Sequence, residues 1–120
     1  MRLLGIDYGL KRVGLSLSYG YLADPLIVLI NSKDLLVKIC SICKKNEIEK
    51  IVIGLPGKSK MSKIIKQFGD TLKSDCRLPI VYWDETLTSI EAEKFSNKKT
   101  KTDALAAAII LQSYIDEKMS

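Results

Sequence analysis

Four carboxylates stand where a fold could gather them. Asp7 closes the apolar run LLGI, Asp84 and Glu85 close IVYW, and Asp103 opens the long apolar stretch ALAAAIIL. An acid at the end of a buried run carries a desolvation cost that something must offset. Carboxylates held together raise one another's pKa unless positive charge lies between them. Magnesium or manganese, which accept an all-oxygen shell, can supply that charge. Two such ions about 4 Å apart can activate a water and stabilise the leaving oxygen of a phosphodiester. The chain has no histidine, which excludes the commonest general base at neutral pH. Hydrolysis would therefore rest on carboxylates, lysine or metal. Each acid also has a plainer reading. Asp7 could bond the turn at Tyr8–Gly9, Asp84 and Glu85 could be solubilising groups at a strand end, and Asp103 could serve only the first turn of its helix.

Positive charge accompanies these acids. Nineteen Lys and Arg against 14 Asp and Glu give a formal charge of +5, a balance that attracts polyanions and makes their binding salt-sensitive. Lys11 and Arg12 follow Asp7 closely. Lys58, Lys60 and Lys63 follow the turn GLPG, and Lys98, Lys99 and Lys101 precede Asp103. Either these clusters hold nucleic-acid backbone phosphates or they are solvated faces. Tyr8, Tyr21, Tyr82 and Trp83 could stack on bases, although Trp83 within a strand reads first as core. Gly5, Gly9 and Gly14 do not form a dinucleotide fingerprint, and GLPGKSK is not a P-loop. Gly9 reads as a sharp turn or a close phosphate approach. Cys40 and Cys43 form C-x-x-C inside a helical pattern and Cys76 is remote, so no four-ligand zinc site can be assembled. The three read as buried or half-buried thiols.

The elements that must position the acids can be read from periodicity. Residues 3–7, 13–18, 26–30, 51–56 and 80–85 predict strands, and the DP pair at 24–25 reads as a turn before the third. Leu35, Leu36, Ile39 and Ile42 predict a helix that Asp34 could cap or begin. Met61, Ile64, Ile65, Phe68 and Leu72 predict a second. Thr88 or Ser89 could cap a short helix to about Phe95, and Thr102 could cap the last one. The order β-β-β-α-β-α-β-α-α predicts an α/β fold. Three antiparallel strands are followed by parallel crossovers, giving one mixed five-stranded sheet flanked by helices. In open α/β sheets, sites form beyond the carboxyl ends of parallel strands. That places Asp7, Glu85 and Asp103 on one rim. Length and composition predict a single domain, residues 1–120. No apolar run approaches a bilayer span and no signal peptide is evident, so a cytoplasmic protein with no membrane role is expected.

Four segments in register, GIDYGLKRVGLSLS, IVIGLP, DETLTS and KTDALAAAIIL, resemble the motifs of the YqgF family, whose members are named for 16S rRNA precursor cleavage or for likeness to Holliday junction resolvases. The resemblance covers nearly the whole chain. It implies a ribonuclease H-like fold and a phosphodiesterase that acts on precursor ribosomal RNA or the pre-ribosomal particle. It also implies Mg2+ or Mn2+ held by acids matching Asp7, Glu85 and Asp103. Cleavage of Holliday junctions, another structured nucleic acid, is the alternative. A non-catalytic RNA-binding ribosome-assembly factor is the rival from another class. A monomer or weak dimer would suit end trimming. The chain departs from the family pattern at Thr86, where an arginine is usual, in the wholly basic loop GKSKM, and in a short segment between Glu93 and Asp103.

Overall fold

The computed structural model describes residues 1–57, 59–84 and 103–118. Five strands form one sheet: β1 (Leu3–Tyr8), β2 (Arg12–Ser18), β3 (Ala23–Ile30), β4 (Lys50–Leu55) and β5 (Ile80–Asp84). Their order is β3-β2-β1-β4-β5. β1, β2 and β3 pair antiparallel, and β1–β4 and β4–β5 pair parallel. The helices are α1 (Leu35–Lys45), α2 (Lys60–Cys76) and α3 (Asp103–Lys118). This is the mixed five-stranded sheet flanked by helices that the sequence predicts. β1, β3, β4 and β5 all end on one rim, and α2 starts there.

Strand alternation sorts the core into two layers. Leu4, Ile6, Val13, Leu15, Ile51 and Ile53 face α1 and α2, meeting Leu35, Ile39, Ile65 and Leu72. Leu3 and Val52 face α3, meeting Ile110, Leu111, Tyr114 and Ile115. The near-continuous apolar runs of β1 and β4 follow from covering on both faces.

Three local expectations are corrected. The DP pair does not turn the chain. Asp24 and Pro25 lie within β3, at a register shift opposite Leu15/Ser16. β3 is an edge strand, where a missing N–H leaves no ladder bond unmade. Asp34 holds the cap position of α1 but makes no side-chain capping bond. Cys40 and Cys76 are not thiols: a disulfide joins them across 36 residues, tying the middle of α1 to the last residue of α2. Cys43 is free, and burial pushes its thiol up to about 11. The three cysteines line a cleft of about 410 Å³ with Ile48 and Asp75. The short helix expected near 88–95 and the cap at Thr102 lie outside the described residues.

Candidate active site

The site is built by a close approach of α3 to the sheet. Gly5, on the face carrying Leu3, leaves room for α3: a Cβ there would lie 2.8 Å from Leu111 Cβ and 2.9 Å from the Ala107 carbonyl oxygen. Gly14 is more restrictive, since a Cβ would overlap the Asp103 carbonyl and lie 2.7 Å from Ala104 N. On the helix, Ala104, Ala107 and Ala108 are the buried residues of the first turns, whereas Ile110, Leu111, Tyr114 and Ile115 are those of the later ones. Small residues on both partners therefore let the start of α3 sink onto β1 and β2. Ser16, buried between them, donates its hydroxyl to the Ala107 carbonyl at 2.8 Å. That bond satisfies a polar group in a dry interface.

The seat brings two acids together. Asp7 follows Leu3 and Gly5 on the α3 face of β1, and its register partner across the ladder is Gly14. Gly14 is the residue on which Asp103 rests. Both acids are half-buried. Asp103 opens α3, where the helix dipole favours negative charge. Its Oδ2 lies 3.1 Å from Arg12 Nε. Arg12 starts β2 opposite Ile30. Its main chain is held by the turn before it, where Asn31 donates its side-chain amide to the Gly9 carbonyl at 2.8 Å and its backbone N–H to the Lys11 carbonyl at 2.9 Å. A Cβ at Gly9 would lie 2.6 Å from the Arg12 carbonyl, so Gly9 serves the tightness of this turn.

The other expected residues are placed differently. Lys11 is exposed on the β1–β2 turn, one residue before Arg12. Lys60 and Lys63 are exposed at the start of α2, on the same rim but on the opposite face of the sheet from α3. Gly57, with φ of 73°, makes the turn into α2, and the Ser62 hydroxyl donates to its carbonyl. Asp84 ends β5, exposed, on the Tyr82 side of the pleat rather than the Trp83 side. Glu85, Lys58, Lys98, Lys99 and Lys101 lie outside the described residues. Among the described residues no group of three His, Cys, Asp or Glu could by itself hold a metal ion.

Three of the four aromatic candidates are committed elsewhere. Trp83 meets Tyr114 edge-on at 5.4 Å between centroids and donates its indole N–H to Ser113 Oγ at 3.2 Å. Tyr8 packs on Phe68 at 4.4 Å. Tyr82 lies over Gly69 and donates to the Lys66 carbonyl at 3.0 Å. Burial and the neighbouring Asp70 raise its phenol pKa above the ordinary value. Tyr21 is 75% exposed and remains open to a ligand. The functional residues that sequence reasoning missed are structural ones: Gly14 and Ser16 as the seat of α3, and Asn31 as the tie on the turn. The one available signal was the small stripe Ala104, Ala107, Ala108 directly after an acid.

Sheet order, helix placement and the acid-bearing rim define a ribonuclease H-like fold. A similar fold is seen in Thermus thermophilus RuvC in complex with a Holliday junction substrate, with a TM-score of 0.67 over all of this chain and 96% of that one, at 13% identity. Residues 1–117 match the family model described as "RuvX: Holliday junction resolvase", and the chain belongs to that family. Proteins named "Putative pre-16S rRNA nuclease" from Sulfurihydrogenibium sp. and Caldanaerobacter subterraneus are each 38% identical to it. Their alignments cover 96% and 98% of this chain and 90% and 98% of theirs. Those alignments run over 130 and 138 positions against a chain of 120 residues, so both relatives carry insertions relative to it.

Proposed function

We propose that this chain is a divalent-metal-dependent endonuclease that hydrolyses a phosphodiester in the 5′-end maturation of the 16S ribosomal RNA precursor. The observation that carries the reading is the seating of Asp103 on Gly14, the register partner of Asp7. The fold spends two glycines and a buried serine to bring two carboxylates to one strand-end rim. A merely solubilising acid would not need that. The names of the relatives supply the substrate.

The donor set fits a hard cation. Both groups are carboxylates on the same face, and a cationic side chain already lies against one of them. Asp7 and Asp103 would hold magnesium or manganese, with Glu85 as the third ligand taken from the sequence. When bound, the ion supplies charge neutralisation at phosphorus and a lowered pKa for water. The chain's own groups do the rest. The rigid ladder of β1 and β2 fixes Asp7, and the first turn of α3 fixes Asp103, so both carboxylates are oriented before substrate arrives. Lys11, exposed on the β1–β2 turn, would neutralise a backbone phosphate. Lys60 and Lys63 would take the backbone on the other side of the rim, and Lys58, Lys98, Lys99 and Lys101, known from the sequence alone, would add to the binding of phosphates. Such contacts govern affinity and salt dependence rather than the cut itself.

The test compares wild type with Asp7→Asn on a 5′-extended 16S precursor fragment and on a four-way DNA junction, each with manganese, magnesium or chelator. Metal-dependent cutting of the RNA, reduced by orders of magnitude in Asp7→Asn, supports the reading. Selective cutting of the junction replaces it with the resolvase that the family description favours. Salt-sensitive RNA binding with no cutting of either replaces it with an assembly factor.

A further inference from the structure

The Arg12–Asp103 pair is unexpected if Arg12 exists only to bind phosphate. Its guanidinium is directed to a carboxylate of the site, with Nε 3.1 Å from Oδ2. The two ends of the pair differ. The Arg12 side chain is 69% exposed and that of Asp103 34%. The Arg12 backbone is pinned by the β2 ladder and by the Asn31-tied turn, whereas its side chain stands in solvent. The geometry is therefore a fixed base carrying a guanidinium free to change partners.

We propose that Arg12 is a positioning residue that holds the place of the metal: it neutralises Asp103 while no cation is bound and is displaced when one arrives. This rests on the reading of Asp7 and Asp103 as metal ligands. The physical need is plain. Asp7 and Asp103 are neighbours on one sheet face, and two such carboxylates with no cation between them repel. Arginine suits the task because its charge cannot be lost by deprotonation. It can also leave, since an exposed pair contributes only about 0–1 kcal/mol. Asp103, once it held a cation, would no longer be the guanidinium's partner. The freed guanidinium would then stand at the rim, where it could take a phosphate of the incoming strand. Metal binding and nucleic-acid binding then strengthen one another through one side chain, and reciprocally.

The test is Mn2+ affinity, measured by electron paramagnetic resonance without nucleic acid, on wild type, Arg12→Gln, Arg12→Lys, Lys11→Gln and Asp103→Asn. Asp103→Asn should weaken binding. Arg12→Gln should tighten it by about two- to fivefold, the range available from an exposed pair. Arg12→Lys should return it toward wild type. Lys11→Gln, which removes an equal charge one residue away, should change it less than Arg12→Gln. In a second measurement, calcium should raise wild-type affinity for a single-stranded RNA more than it raises that of Arg12→Gln. Unchanged Mn2+ affinity in Arg12→Gln, with weakened binding in Asp103→Asn, overturns the proposal alone. Equal tightening in Lys11→Gln also overturns it, because the effect is then bulk charge. Unchanged binding in Asp103→Asn overturns both the proposal and the metal reading beneath it.

Discussion

Gly14→Ala tests whether the seat of α3 makes the site. The added Cβ would overlap the Asp103 carbonyl and lie 2.7 Å from Ala104 N, both main-chain atoms. No rotamer change relieves a clash with backbone. Ordinary carbon contacts lie near 3.5 Å, so the first turn of α3 must recede by about 1 Å or more. Overpacking of this kind costs about 1–3 kcal/mol, and the receding turn also lifts Ala104 and Ala107 from β1 and β2. A loss of about 3 kcal/mol is expected. At the urea dependence typical of small domains this lowers the unfolding midpoint by about 2 M. Without the clash, alanine in a strand would stabilise by about 0.5–1 kcal/mol relative to glycine, so the sign alone is informative. Gly20→Ala is the internal control, because nothing lies within 4 Å of a Cβ there. Nuclease activity should fall at least about 100-fold, the cost of an ångström's misplacement. A Gly14→Ala variant as stable and active as wild type would refute the idea that Gly14 seats Asp103.

Two further outcomes concern the cysteines. The Cys40–Cys76 disulfide closes a loop of 36 residues, which removes about 4 kcal/mol of unfolded-state entropy. Reduction or Cys76→Ser should lower Tm by about 15 °C, and equal melting temperatures with and without dithiothreitol would contradict this. Cys43 keeps its proton when folded, with its pKa raised from 9.0 to about 11 by burial. The unfolded thiol ionises first, so stability should be flat below about pH 9 and decline through pH 11. Chemical denaturation across that range should show the decline, and Cys43→Ala should lessen it.

Much of this architecture was legible because the chain obeys simple periods. LLGI and IVIG are buried-strand runs, IVYW is a half-buried one, and Ile39, Ile65 and Leu72 fall on helical faces as expected. Asp7 and Asp103 could be singled out because one ends such a run and the other begins a helix, and the rim where parallel strands end is fixed by topology. What was not legible depended on partners far away in sequence. Gly5 and Gly14 showed only that they form no dinucleotide fingerprint, yet their task is to admit α3, about ninety residues on. The disulfide defeated spacing arguments because Cys40 bonds the remote Cys76 rather than the neighbouring Cys43. Pro25 misled because a proline near a strand suggests a turn, whereas an edge strand with a register shift accommodates it.

The disulfide also sets the mechanics of the basic surface. α2 has 17 residues and so is about 25 Å long. Its far end is welded to α1, and its near end carries Lys60 and Lys63 and is entered through the Gly57 turn. A rod fixed at one end is a lever. Rotation by about 10° about Cys76 would carry Lys60 through about 4 Å while leaving the anchored end in place. With its far end tied and its middle packed on the sheet, any displacement of α2 would be largest at the rim, so the spacing between the lysines and the acids is the coordinate along which oxidised and reduced protein should differ.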